Sequence, residues 1–434
     1  MSFVSQRWAL VALAAACLTT AAMAEEVMLT PKLDVGIEWS DNLQKEPSDR
    51  DGARGAQSGW VLRLEPSIDA KMPVGDRTYF EVDYTLGFVY IDSSDLTPAQ
   101  RDAQGNVTGG GDDTFDTITH DLRALARYSV SDSTSIGLSD RYRYSEVVEA
   151  DGDAYELNTA KLCAKQQVGG NVLAEIAYAY QTFHDPSRDR EYVNYDQHGL
   201  EGVGTYRLST FTTTKLTVGY TLRDFDGDTW SERDYHKMYG LARFSQIMNE
   251  AITAYVEAGY HTQSYTSEID ADGEDVGLGF QAEVGEMTMV AMDVSRSTHD
   301  VFYVGERDIT PVQGFSRSVN TVNAIDREYV AIETDRIALT ANMRITDYDV
   351  LKVGYGWVMA EADSEYDTDS LDESATTVGE DLDEDLWYAG LGVAHRFPRW
   401  AKLSLDYAYG ERDSNLLGRD YHYNSIAAQL GFVF

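Results

Sequence analysis

The sequence predicts an all-β protein, a transmembrane antiparallel barrel of about eighteen strands, with sixteen as the lower bound. Three observations lead there. Apolar and polar residues alternate with period two in segment after segment, as strands with two unlike faces require. Long polar connections alternate with turns of about two to six residues, the loop asymmetry of outer-membrane barrels. The chain closes on YHYNSIAAQLGFVF, where Ile426, Ala428, Leu430, Phe432 and Phe434 share one phase.

The first residues, MSFVSQRWALVALAAACLTTAAMA, place Arg7 ahead of an apolar run from Trp8 to Leu18. Ala22-Met23-Ala24 supplies a small-x-small cleavage site, so residues 1–24 read as a signal peptide and 25–434 as the barrel. Cleavage near Ala24 would deliver the chain to a Gram-negative outer membrane. A lipoprotein reading of Cys17 is weaker, because Ala14, Ala15 and Ala16 precede it without the Leu usual three positions upstream. Once Cys17 is removed, Cys163 is alone and no intrachain disulfide can form. No later run reaches the roughly 20 apolar residues that a membrane helix needs.

Lys and Arg number 35 against 73 Asp and Glu, a net charge of -38 that argues against nucleic acid as a partner. Mean hydropathy is -0.37, ordinarily the value of a water-soluble protein. A barrel strand shows lipid only every second residue, so its average is diluted. Aromatics make up 11% of the chain, with 28 Tyr, which speaks against disorder.

The strands follow in order. Leu33, Val35, Ile37 and Trp39 open the series, and Trp60, Leu62, Leu64, Ile68 and Ala70 return to the turn MPVGD. Phe80 to Tyr90 goes out again, and Ile118 to Val130 comes back to SDST. Later outward strands begin near Ile136, Val172, Leu216, Ile252, Val290, Leu351 and Leu403. Their returning partners begin near Tyr155, Tyr195, Tyr235, Val276, Glu333, Leu386 and Tyr421. The expected long connections are 41–59, 92–116, 148–154, 184–194, 224–233, 264–274, 298–330, 362–384 and 411–420. An even strand count puts both ends of the barrel on the short-turn side. The last strand, with Ile426, Leu430, Phe432 and Phe434 as its C-terminal barrel signal, is then expected to close against Leu33 to Trp39.

Aromatic residues recur on the apolar phase where outward strands end: Trp39, Tyr90, Tyr144, Tyr180, Tyr220, Tyr260, Trp357 and Tyr409. Amphipathic rings favour the headgroup level, so these eight are expected to form a girdle. Strand preference for Tyr explains their number, not their shared face and end. The strand near Val290 lacks such a residue.

The opposite phase should line the lumen. It carries Arg123, Arg127, Arg141, Arg143, Lys161, Lys165, Lys215, Lys237 and Arg243, interleaved with Asp83, Asp121, Glu175, Glu201, Glu257 and Glu283. Two roles stand level: a selectivity surface for anionic solutes, or cross-strand pairs that brace the wall. Cys163 falls between Lys161 and Lys165 and reads as incidental.

The span Glu361 to Asp385 holds twelve Asp or Glu and no Lys or Arg. Asp151-Gly152-Asp153, the run Asp224 to Asp228 and the run Asp270 to Asp275 resemble pieces of calcium loops. None continues into the twelve-residue helix–loop–helix pattern. Weak divalent-cation binding that bridges the loops to lipopolysaccharide is one reading. Solvated, mutually repelling loops are the favoured one, because charge runs are usually solvated. No other cofactor is expected. Neither a G-x-S-x-G elbow, an H-E-x-x-H pair nor a C-x-x-C pair occurs, and the eight His are scattered, so an enzyme is not expected.

Tyr407-Ala408-Tyr409, Arg412-Asp413-Ser414-Asn415, Gly418-Arg419-Asp420-Tyr421, Asn424 and the ending Leu430-x-Phe432-x-Phe434 resemble the outer-membrane proteins of the β-barrel porin 2 type. The strand end Arg141-Tyr142-Arg143-Tyr144, with Tyr155 and Asn158 beyond it, is similar to an internal copy of that phrase. Members often accompany genes for exopolysaccharide synthesis and export. The resemblance therefore implies a conduit for hydrophilic solutes or surface polysaccharide, with export components, outer-membrane lipid, lipopolysaccharide and the barrel-assembly machinery as partners. It implies no catalytic residues. The alternative is a barrel that anchors adhesive acidic loops.

Removing Phe434, or replacing it with a charged residue, should impair barrel assembly far more than any change in the acidic loops. The heat-modifiable gel shift of membrane fractions measures this, and unimpaired insertion of the truncated chain would contradict it.

Overall fold

A computed structural model describes residues 27–41, 58–93, 100–101, 107–109, 117–147, 154–184, 194–226, 234–249, 251–266, 270–285, 287–300, 331–362, 382–398, 400–414 and 421–434. The signal-peptide reading of 1–24 and most of the 361–385 connection lie outside the described residues.

Nine hairpins make the wall. They are β1 (Met28–Ser40) with β2 (Gly59–Val74), β3 (Thr78–Ser93) with β6 (Thr117–Ser131), and β7 (Thr134–Val147) with β8 (Ala154–Val168). Next come β9 (Val172–His184) with β10 (Tyr195–Arg207), β11 (Thr212–Phe225) with β12 (Tyr235–Asn249), and β13 (Ile252–Tyr265) with β14 (Asp270–Val284). The last three are β15 (Thr288–Asp300) with β16 (Ala331–Arg344), β17 (Asp349–Ala362) with β18 (Leu382–Phe397), and β19 (Ala401–Ser414) with β20 (Tyr421–Val433). Two short strands, β4 (Gln100–Arg101) and β5 (Val107–Gly109), pair only with each other.

Each wall strand pairs antiparallel with its neighbours, and β1 pairs with β20, so the 18-stranded sheet closes on itself. Closure leaves no edge strand with unpaired backbone groups. The last strand thus closes against Leu33 to Trp39 as expected, with Trp39 facing Ile426, Val35 facing Leu430 and Leu33 facing Phe432.

Several connections are shorter than expected. The link between β13 and β14 is only 266–269, because strand pairing runs on through Asp270 to Asp275. β19 likewise continues to Ser414. Alternation persists there in polar residues: Asp272 and Glu274 continue the outward phase of Val276 and are exposed. The acidic run is therefore strand, not a calcium-type loop. Apolar periodicity ends where a strand leaves an apolar surrounding, while the backbone ladder goes on.

The short turns are built by local chemistry. Gly75, Gly169 and Gly285 adopt φ of 60°, 64° and 68°, which residues with a Cβ rarely do. They sit between β2 and β3, β8 and β9, and β14 and β15.

The faces are the reverse of those of a water-soluble barrel. Ile176, Leu216, Val218 and Val256 are 55%, 55%, 53% and 57% exposed on the outside. Inside, His261 and Val61 are each 1% exposed and Tyr195 2%.

Side chains reinforce the seam. Asp41 accepts from the Asn424 backbone N–H and from its Nδ2, each at 2.6 Å, while the Asp41 N–H donates to the Asn424 carbonyl at 3.1 Å. At the other end the Phe434 N–H donates to the Pro31 carbonyl at 3.0 Å, and Lys32 pairs with Asp69. Asp41→Ala removes both side-chain bonds and should lower stability by about 2 kcal/mol, with the seam opening first. Urea unfolding of the detergent-folded protein, followed by loss of the heat-modifiable gel shift, is the measurement.

Candidate functional site

Two surfaces follow from one phase. The outward phase carries all eight residues expected of the girdle. Each lies within a few positions of the long-connection end of its strand: Trp39, Tyr90, Tyr144, Tyr180, Tyr220, Tyr260, Trp357 and Tyr409. Four of them donate to a carboxylate at that end. Tyr180 Oη donates to Asp196 at 3.0 Å and Tyr260 Oη to Asp272 at 2.9 Å. Trp357 Nε1 donates to Asp385 at 3.1 Å and Tyr409 Oη to Glu411 at 2.8 Å. The rings thus present apolar edges below and tethered polar edges above, as an amphipathic residue at a boundary should.

Histidines enter the same band. His120 hydrogen-bonds the Tyr84 hydroxyl at 2.8 Å and His198 the Tyr178 hydroxyl at 2.7 Å. β15, which has no aromatic there, instead turns Arg296 outward in a two-point pair with Asp335 at 2.9 and 3.0 Å. Charged groups in two-point geometry satisfy each other and replace the ring.

The inward phase carries Arg123, Arg127, Arg141, Arg143, Lys161, Lys165, Lys215, Lys237 and Arg243, all on β6, β7, β8, β11 and β12. The six inward carboxylates share that face. Several of these charges form pairs across strands. Arg141 grips Asp121 at 2.5 and 3.0 Å, Lys165 meets Glu175 at 2.8 Å, and Arg243 meets Glu257 at 2.6 Å. Arg123 stands opposite Asp83 in register. Lys161 and Lys215 carry no ion pair among the described residues. Partly exposed pairs contribute only about 0–1 kcal/mol each, so their main effect is to align neighbouring strands. Cross-strand bracing accounts for the paired residues.

The alternation in the sequence did not single out the lumenal tyrosines. Tyr239 faces Gly219, Tyr255 faces Gly279, Tyr388 faces Gly356 and Tyr423 faces Gly410, each directly across a strand pair. In every case the ring lies across the glycine, in the space a Cβ would take. A ring lying on the wall does not stand across the lumen, and it covers the backbone that glycine leaves bare. Tyr239 donates to Glu201 at 2.9 Å and the Tyr255 hydroxyl to Asp293. Cys163 repeats the pattern with its sulfur over Gly137, and its thiol is free. The signal was present as glycines on the inward phase, but it became legible only once register assigned each its partner.

Toward the long-connection end, β9 to β13 hold a dense inner cluster. The Arg223 guanidinium stacks 4.4 Å from the Tyr195 ring and 5.1 Å from that of Tyr235, and donates to Gln197 Oε1 at 2.7 and 3.0 Å. Gln181 donates to the Tyr195 hydroxyl at 2.7 Å, and His261 Nδ1 lies 3.1 Å from Asp275. Arg223 is 4% exposed, so this cluster stiffens the wall rather than meeting solutes. Among the described residues no group of three or more His, Cys, Asp or Glu could hold a metal ion.

No family model matches the chain, and no curated protein matches it. Among solved structures it is similar to OccAB4 of Acinetobacter baumannii, at 11% identity over 94% of this chain and 99% of that one, with a TM-score of 0.48. It is also similar to OpdK of Pseudomonas aeruginosa crystallised with vanillate, at 10% identity, 94% and 99% coverage and a TM-score of 0.48. A mutant ferric enterobactin receptor, PfeA, from Pseudomonas aeruginosa matches at 8% identity over 93% of this chain and 80% of that one, with a TM-score of 0.48. Identities this low bear on fold alone, and these superpositions carry no reading of the site.

Gly219→Val places a branched side chain where the Tyr239 ring lies, forcing the ring off the wall and away from Glu201. It should cost about 1–3 kcal/mol in urea unfolding, as overpacking does. Adding Tyr239→Ala should recover most of that loss. If the double variant is as unstable as the single one, the ring is not what the glycine accommodates.

Proposed function

We propose that the chain spans the outer membrane and forms a channel for hydrophilic solutes, with surface polysaccharide as the finer assignment. One observation carries the reading: around the closed wall the large exposed side chains that point out are chiefly apolar, while the Arg, Lys and carboxylate groups of β6 to β13 mostly point in. Such an exterior is favourable against hydrocarbon, and the interior favours water. Only the lumen then offers polar solutes a path. A sugar chain suits a wall of flat-lying tyrosines and fixed polar groups, because its rings have both apolar faces and hydroxyl edges. Export from the cell, rather than uptake, follows only from the β-barrel porin 2 resemblance.

A second reading draws on a different observation. The inner cluster around Arg223 is almost fully buried, which fits a barrel whose main role is to anchor its outer connections.

Planar-bilayer conductance separates the two. The channel reading expects stable single-channel steps and passage of sugars in liposome swelling. A folded barrel that never conducts overturns it and leaves the anchor. Excising 363–381 then tests the anchor directly: surface adhesion should fall while permeability stays as it was.

A further inference from the structure

Among the described residues, two hydrogen-bond donors inside the barrel have no partner. The Nε of Arg336 on β16 and the hydroxyl of Tyr388 on β18 are both buried, and neither meets an acceptor. An unsatisfied buried donor is costly, and a guanidinium more so than a hydroxyl. Native structures keep such groups where something else completes them.

The strand register brings these two donors to one place. Tyr388 faces Gly356 on the intervening β17, and its ring lies across that glycine toward β16. Gly356 in turn faces Ala338, two residues from Arg336 on the same inward phase. Arg336 and the Tyr388 ring therefore share one stretch of the inward wall across β17. Only glycine at 356 permits the approach, since any Cβ there would collide with the tyrosine ring.

Among the described residues no carboxylate forms an ion pair with Arg336. In register, Arg336 stands between Ser295 and Val358, neither of them charged. Of the inward carboxylates on neighbouring strands, Asp293 accepts from the Tyr255 hydroxyl and Glu384 pairs with Arg412. Arg336 as a whole is half-buried on the inward face, less enclosed than Tyr388.

We infer that Arg336 and Tyr388 form an oxyanion-docking position on the channel wall, one that takes the carboxylate or phosphate group of an acidic sugar. A guanidinium offers parallel N–H donors to such a group, and the tyrosine hydroxyl adds one from the side. Neutral sugars lack the charge and pass without docking. The inference rests on the channel reading for its access route, but the site itself can be measured without current.

The test uses the full chain folded in detergent, with glucuronate, glucose 6-phosphate and glucose as probes in titration calorimetry. Glucuronate or glucose 6-phosphate should bind, and glucose should not. Tighter binding of the first marks a carboxylate site and of the second a phosphate site. Arg336→Gln should weaken the preferred probe by about tenfold or more, and Tyr388→Phe by about threefold, in keeping with a charged and a neutral hydrogen bond. Arg336→Lys, which keeps the charge and loses the fork, should fall between wild type and Arg336→Gln. If Arg336→Gln does not fold, Tyr388→Phe and Arg336→Lys carry the test. Lys71→Gln removes one cation elsewhere on the inward wall, where Glu81 already matches it, and should change affinity little. Equal losses in Lys71→Gln and Arg336→Gln would mean a diffuse lumenal potential and overturn the site, as would unchanged binding in Arg336→Gln and Tyr388→Phe. A protein that conducts but binds neither acidic probe refutes the site and leaves the channel. One that binds without conducting refutes the channel and leaves the site.

Discussion

Every other feature depends on the seam where β1 meets β20. A sheet placed in hydrocarbon has no water to satisfy its edges, so the first and last strands must pair with each other. They do so through nine consecutive register positions, from Lys32–Val433 to Ser40–Ser425. Because the pairing is in register, one phase runs unbroken around the wall. A slip of β1 by a single residue would put Trp39 and Leu33 inside and Glu38 and Lys32 outside. The two-point grip of Asp41 on Asn424 makes such a slip cost specific hydrogen bonds as well as apolar burial.

Once the phase is set, the two faces solve different problems. The outward face has to end at a boundary between apolar and polar surroundings. Near the long-connection end that face carries aromatic rings, four of which donate to a carboxylate, as Tyr260 does to Asp272. The inward face has to keep eighteen strands apart around a polar interior. Cross-strand ion pairs align neighbours, and tyrosines lying over glycines cover the wall without crossing it. Some inward cations, such as Lys165 and Arg243, are matched by a carboxylate, and others, Lys161, Lys215 and Arg336 among them, have no ion pair among the described residues.

Much of this was legible beforehand. Period-two alternation gave away the nine hairpins, the inward phase of Arg141, Lys165 and Arg243, and the outward phase of the eight aromatic residues, because side-chain direction in a strand depends on parity alone. It misjudged the run from Asp270 to Asp275, since an acidic stretch loses the apolar contrast that marks a strand while keeping the backbone ladder. It passed over Arg336 and Tyr388 for another reason: neither is unusual by type or spacing.

The amino-acid sequence by itself determined the architecture: a closed wall, its two faces, and the side on which long connections lie. These are properties of single strands and of their order, so they are written locally. Which charges cancel, which glycine receives which ring, and which donors remain without an acceptor were decided only by tertiary structure. Each of those is a relation between residues such as Tyr388 and Gly356, or Arg336 and Tyr388, that lie on different strands. Only the pairing register fixes such distances, and no pattern along one strand contains them.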